Sequence, residues 1–229
     1  MSWRDTKKVI HFDLDGTLID SVPDLALAIN QMLYHFFKEE TQESRIRAWV
    51  GNGASKLVER ALIFHFKREI SQDEKIFKEA LSYFLEAYSK LLPFHTRCYA
   101  EVEETLQILQ ERGYRLTIIT NKPYAFVSPL LEGLKIDGYF EAILGGDSLK
   151  RKKPNPLPLL SMSKDLGVEI ASCVMVGDSK NDILSANRAG MDSIGVTYGY
   201  NYDESIACYS PTYTIEHFSQ LLHYFPKQG

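Results

Sequence analysis

Asp13 and Asp15 stand one residue apart in Asp13-Leu14-Asp15-Gly16-Thr17, directly behind the apolar run Val9-Ile10-His11-Phe12. Like charges this close repel and raise one another's pKa unless a cation or hydrogen-bond donors compensate. The pair therefore suits a hard divalent cation and a reaction with work for two acids. An ordinary polar turn at a strand end has the same residue types, so the motif gains meaning only from partners elsewhere in the chain.

Those partners lie at the ends of later apolar runs. Thr120 and Asn121 follow Leu116-Thr117-Ile118-Ile119, Lys153 lies in the loop after Leu144, and Gly177-Asp178 follows Cys173-Val174-Met175-Val176. Asp182 comes one turn into the next helix. Taken singly, Thr120-Asn121 and Asp178 read as helix caps and Lys153 as a solvated charge. Taken together, successive strand ends carry a nucleophile, a hydroxyl donor, a cation and a carboxylate. In open α/β sheets, ligands bind at the carboxyl ends of the strands.

This set suits phosphoryl transfer, in which catalysis is mostly positioning and charge neutralisation. Asp13 is the expected nucleophile, forming an aspartyl-phosphate that divides one hard hydrolysis into two easier steps. Magnesium is the expected cofactor, held by Asp13, Asp178 and the backbone carbonyl of Asp15. The Asp15 side chain is expected to protonate the leaving oxygen and then activate water. Thr120, with Asn121 and backbone amides, would bind the phosphate while Lys153 offsets its charge. Lys152 is the rival for that lysine; Pro154 favours Lys153 by restricting its backbone. Asp182 would hold Lys153 or a metal-bound water.

The elements that must position these groups fall into two patterns. Lys8 to Phe12 reads as a buried strand. From Ser21 to about Leu92 the pattern is helical, and Leu25, Ile29, Met32, Leu33 and Phe36 share one face. Ser21 with Pro23 opens a helix, Thr41 begins a second that ends near Gly51, and a third spans roughly 54–66. Ser71 with Glu74 reads as a capping box ahead of a fourth. Beyond Pro93, strands 115–120, 142–144, 173–176 and 193–196 alternate with helices, the pattern of a parallel sheet covered on both faces. The expected fold is α/β: a doubly wound, Rossmann-like core from 1–20 and 93–229, with an all-helical cap inserted at 21–92.

Composition narrows the function classes. The 229 residues carry a net charge of −4 with only short basic clusters, so nucleic acid is an unsuitable partner. Three widely spaced cysteines have no zinc spacing and read as free thiols of a reducing compartment. No apolar run approaches the roughly 20 residues that span a bilayer. The expectation is a cytoplasmic protein without membrane contact, acting on a small phosphorylated metabolite, as a monomer or homodimer.

The four motifs Asp13-Leu14-Asp15-Gly16-Thr17, Thr120-Asn121, Lys153-Pro154 and Gly177-Asp178-Ser179-Lys180-Asn181-Asp182 resemble those of the haloacid dehalogenase-like hydrolase superfamily. The resemblance implies a magnesium-dependent phosphatase with a cap closing over its active site. Asp15 argues against the dehalogenase branch, which lacks this second acid. Trp49-Val50-Gly51-Asn52-Gly53-Ala54 is similar to the cap loop of bacterial phosphoglycolate phosphatases, as are Gly145-Gly146-Asp147-Ser148-Leu149 and Thr197-Tyr198-Gly199-Tyr200-Asn201-Tyr202. That likeness implies 2-phosphoglycolate as substrate and Gly51, Asn52 and Gly53 as specificity residues. A broader sugar-phosphate or nucleotide phosphatase, a pyrophosphatase and a non-catalytic binding protein are the alternatives. Lys56 and Arg60, one turn apart, are either substrate contacts or a solvated helix face. His11 departs from the family's apolar residue and is expected to be buried with a hydrogen-bond partner.

Overall fold

The structure, a computed structural model, describes residues 3–202 and 204–228. Its strands are β1 (Val9–Phe12), β2 (Ile19–Asp20), β3 (Arg97–Cys98), β4 (Arg115–Ile119), β5 (Ala142–Leu144), β6 (Cys173–Gly177), β7 (Asp192–Val196) and β8 (Tyr213–Ile215). Six of them form one parallel sheet in the order β5-β4-β1-β6-β7-β8. The helices are α1 (Trp3–Thr6), α2 (Val22–Phe37), α3 (Glu43–Arg47), α4 (Ala54–Phe66), α5 (Lys75–Leu91), α6 (Val102–Glu111), α7 (Val127–Leu134), α8 (Leu157–Asp165), α9 (Lys180–Ala189) and α10 (Leu221–Tyr224).

Alternation along the strands splits the sheet's packing between its faces. Ile10 and Phe12 join Leu116, Ile118, Val174 and Val176 against residues of α6, α7 and α10. Val9, Cys173 and Met175 pack with Leu159 and Met162 of α8 and Ala186 of α9. Burial on both faces explains why these strands read as nearly continuous apolar runs. His11 is fully buried among them, its Nδ1 2.7 Å from Thr117 Oγ1. In the register, Phe12 faces Ile118 on one side and Val176 on the other, so β1, β4 and β6 end level.

Helices α2 to α5 build a separate apolar core, with Leu25, Ile29, Met32 and Leu33 of α2 against Phe77, Ala80 and Phe84 of α5. This is the helical cap. Phe126 and Tyr200, from beyond the cap, close the same cluster from below.

Local readings differ from expectation in places. Ser21 precedes α2, and Pro23 lies in its first turn, yet the Ser21 hydroxyl makes no cap bond and donates to Asp15 Oδ1 at 2.5 Å. The second cap helix shrinks to α3, because the Thr41 backbone is held by the Asn30 side chain at both its N–H and its carbonyl. Glu74 is the residue before α5, and its carboxylate accepts from Ser71 N–H at 2.9 Å, so that pair forms a turn ahead of the helix. Strand β8 and helix α10 were not foreseen.

The chain crosses between sheet and cap twice, and the crossings pair with each other. Strands β2 and β3 are antiparallel, with Ile19 opposite Cys98 and Asp20 opposite Arg97. Among the described residues, no helix is long and apolar enough to cross a membrane.

Candidate active site

The level ends of β1, β4 and β6 bring Asp13, Thr120 and Asp178 to one edge of the sheet, on both sides of its central strand. Strand order reverses at β1, and such a reversal opens a crevice for ligands. Asp13 is fixed by its own N–H bonding Val176 O at 2.9 Å and by Leu14 N–H donating to its Oδ1 at 2.8 Å. Asp178 accepts from the Thr17 hydroxyl at 2.9 Å and from Tyr200 N–H at 2.6 Å. Gly16 makes this crowding feasible: it sits at φ +89°, and a Cβ there would lie 2.3 Å from Asp178 Oδ2.

Lys153 reaches in from the loop before α8 and is almost wholly buried. Its ammonium lies 3.0 Å from Asp13 Oδ1 and 2.6 Å from Asp182 Oδ1. The other Asp182 oxygen accepts from Ser179 N–H at 3.0 Å and Ser179 Oγ at 2.7 Å, the capping box of α9. Burial disfavours the Lys153 charge, but the two carboxylates more than offset it and hold its pKa above the ordinary lysine value. Lys152 points elsewhere and donates to Asn52 O at 2.6 Å.

Carboxylate oxygens of Asp13, Asp178 and Asp182 all lie within 4.8 Å of one another, and all three residues are buried. Burial and the Asp182 charge push Asp13 up to about 7, against the pull of Lys153. Burial and the charges of Asp182 and Asp13 raise Asp178 well above its ordinary value. One ammonium leaves this trio short of positive charge. Hard oxygen donors in a negative, buried cluster fit a hard divalent cation. Asp182 takes three protein donors, from Lys153 and twice from Ser179, whereas Asp13 and Asp178 take two each and keep more open lone pairs, so those two are the better placed ligands.

Between sheet edge and cap lies a cavity of about 40 Å³, lined by Asp13, Asp15, Thr120, Asn121 and Lys122 below and by Leu25, Val50, Leu57, Phe84 and Tyr88 above. Residues 10–196 match the model of the haloacid dehalogenase-like hydrolases. The chain belongs to the haloacid dehalogenase-like hydrolase family. It is 49% identical over 216 residues to a phosphoglycolate phosphatase of Colwellia psychrerythraea, covering 94% of this chain and 96% of that one. A phosphoglycolate phosphatase of Psychrobacter arcticus is 44% identical, covering 96% of each. The crystal structure of a predicted phosphoglycolate phosphatase from Haemophilus somnus superposes with a TM-score of 0.89 at 39% identity, covering 95% of this chain and 97% of that one.

In this haloacid dehalogenase-like hydrolase the cap loop Gly51-Asn52-Gly53 is strapped to the sheet. Asn121 Nδ2 and Asn181 Nδ2 both donate to Gly51 O at 3.1 Å. Tyr202 donates its hydroxyl to Asn52 Oδ1 at 2.8 Å. Gly53, at φ +83°, passes so close that a Cβ would lie 2.8 Å from Asn121 O. Asn121 Nδ2 also donates to Lys153 O at 3.0 Å, so this side chain holds two backbone carbonyls and leaves the Asn121 N–H for the expected phosphate. Arg60 holds the loop from behind, donating to Trp49 O and, at 2.8 Å, to Asn52 Oδ1. Lys56 pairs with Glu59 at 2.8 Å. Neither Lys56 nor Arg60 lines the cavity.

Sequence reasoning missed Lys122 and Tyr88. Lys122 Nζ lies 2.9 Å from Asp15 Oδ1 and donates to Tyr88 Oη at 2.7 Å. Its place directly after Thr120-Asn121 was the available signal. Tyr88 had none, because on α5 it continues the apolar stripe of Phe77 and Phe84.

Proposed function

We propose that this chain hydrolyses 2-phosphoglycolate to glycolate and phosphate, with residues 1–20 and 93–229 as the catalytic core and 21–92 as the cap. The observation that carries the reading is the buried Asp13–Lys153–Asp182 chain of contacts beside Asp178. It offers a nucleophilic carboxylate next to a cation where a phosphoryl group must be neutralised. The names of the full-length relatives support the substrate.

In this reading an Asp13 oxygen attacks phosphorus, and the bond to the glycolate oxygen breaks as Asp15 gives that oxygen a proton. Asp15 then takes a proton from water, which attacks the aspartyl-phosphate and restores Asp13 with release of phosphate. Thr120 and the backbone N–H of Asn121 donate to the phosphoryl oxygens, and Lys153 balances their charge. Asp182 fixes the Lys153 ammonium. Magnesium, when held by Asp13, Asp178 and the Asp15 carbonyl, supplies further positive charge at the phosphoryl oxygens. Gly51 and Gly53, which line the cavity, would select the substrate, with Asn52 fixing their loop through Tyr202 and Arg60. A cytoplasmic site of action fits a soluble phosphorylated metabolite.

The test is phosphate release by the purified protein with magnesium, across 2-phosphoglycolate, sugar phosphates, nucleotides and pyrophosphate. The expected result is the highest kcat/KM on 2-phosphoglycolate. Equal or faster turnover of another class removes the substrate assignment, and no release from any of them removes the enzyme reading.

A further inference from the structure

Lys122 carries a positive charge into the cavity that the proposed chemistry leaves unused. It is almost wholly buried, and it is the sole lysine, arginine or histidine among the residues lining the cavity. Lys153, the other buried ammonium nearby, is committed to Asp13 and Asp182. The two lysines thus pair with different carboxylates, Lys122 with Asp15 and Lys153 with Asp13 and Asp182.

The bonding of Lys122 leaves room for a ligand. An ammonium has three N–H groups. Asp15 Oδ1 and Oδ2, at 2.9 and 3.2 Å, can share one of them, and Tyr88 Oη at 2.7 Å takes a second. The third remains for a guest. Tyr88 accepts from Lys122 in this contact, so its own hydroxyl proton is also available to donate. Beyond them the walls turn apolar, with Leu25, Leu57 and Phe84. An ammonium and a phenol side by side match the two oxygens of a carboxylate. A second anionic group entering a space already holding Asp13 and Asp15 needs such a cation to overcome their repulsion.

We propose that Lys122, with the Tyr88 hydroxyl, receives the carboxylate of the substrate, and so selects small phosphorylated acids over neutral phosphomonoesters. The inference rests on the phosphatase reading above and names the group that decides its substrate class. Lys122 comes from the core and Tyr88 from the cap, so the carboxylate site is complete only when cap and core meet.

The experiment compares the intact protein and its Lys122→Gln variant, with magnesium, on 2-phosphoglycolate and on ethyl phosphate, which has the same carbon count and no carboxylate. Inhibition by glycolate and by inorganic phosphate is measured alongside. Lys122→Gln is expected to lower kcat/KM on 2-phosphoglycolate by about 10- to 100-fold more than on ethyl phosphate, mainly through KM. Glycolate inhibition should weaken by a similar factor, and phosphate inhibition much less. Equal losses on both substrates overturn the inference, because Lys122 would then act only through Asp15. An unchanged substrate ratio overturns it as well. Should Lys122→Gln fail to fold, the same ratio is read from Tyr88→Phe, where no shift is again a refutation. A wild-type protein that prefers ethyl phosphate defeats the substrate reading itself, which the first measurement reveals separately.

Discussion

Asp24 and Thr96, far apart in the chain, are joined twice: Thr96 donates its backbone N–H at 2.9 Å and its hydroxyl at 2.6 Å to the same oxygen, Asp24 Oδ2. Phe94 N–H and His95 N–H donate to the same carboxylate at 3.1 and 2.8 Å. A fully buried carboxylate at the start of the first cap helix thus gathers the backbone that leaves the last one.

This makes Asp24 a stability residue rather than a chemical one. Asp24→Asn keeps the shape but turns one acceptor into a donor facing N–H groups. It should cost about 2 kcal/mol, and Asp24→Ala about 3 kcal/mol or more. Urea unfolding monitored by circular dichroism checks both. A midpoint unmoved by Asp24→Ala would show that the loop holds without this carboxylate.

Asp13 and Asp15 should separate under substitution. Asp13→Asn is expected to lower kcat by about 10³-fold or more, since the nucleophile is gone. Asp15→Asn should lose turnover while keeping magnesium binding, because its proposed metal contact is the backbone carbonyl. Thermal shift reads the second claim: magnesium should raise the melting temperature of wild type and of Asp15→Asn alike, by mass action on the folded state. A shift lost in Asp15→Asn would make its side chain a ligand. Chelation with EDTA should abolish turnover.

His11 predicts an acid limb. Burial pushes its pKa down to about 3 from an ordinary value near 6.5. A group with a depressed folded pKa that is neutral when folded takes up its proton first in the unfolded chain. Its cost is absent above about pH 6.5 and grows as pH falls toward 3. Between pH 7.5 and 5 this one residue should remove about 2 kcal/mol of stability. His11→Val should flatten that limb, and denaturant titrations at the two pH values measure the difference. An identical pH dependence in the variant would mean that His11 is not the cause.

Gly53→Ala tests the strap between cap loop and sheet. The backbone at φ +83° and ψ 169° is a region open to glycine almost alone, and the new methyl would press on Asn121 O. The expected result is a loss of about 1–2 kcal/mol and a rise in KM, as the loop lifts from Asn121 and Asn181. Steady-state kinetics with 2-phosphoglycolate reads this directly, and unchanged KM would separate the loop from substrate binding.

Much of this was legible in sequence because the signal was local. The apolar runs Leu116–Ile119 and Cys173–Val176 mark buried strands, and Thr120 after the first and Asp178 after the second mark an active edge. The three free cysteines and the buried, hydrogen-bonded His11 also follow from residue type and surroundings. What escaped was non-local. Strand β3 is two residues long and exists only because β2 pairs with it. Tyr88 looks like core until α5 turns it toward Lys122, and no local pattern announces that the Asn121 amide ties the cap loop to the Lys153 backbone. The helix expected from Thr41 starts only at Glu43, because the Asn30 side chain competes for the Thr41 backbone.

The pairing of β2 with β3 carries a further consequence. Because the two crossings leave the sheet side by side, the core meets the whole insertion as a closed loop with fixed ends. Closing a loop costs free energy that grows only with the logarithm of its length. The sheet is therefore nearly indifferent to what is threaded between Asp20 and Arg97. A fold wired in this way can carry a different roof between the same two ends, provided that the new roof supplies partners for Asn121, Lys122 and Tyr200 beneath it.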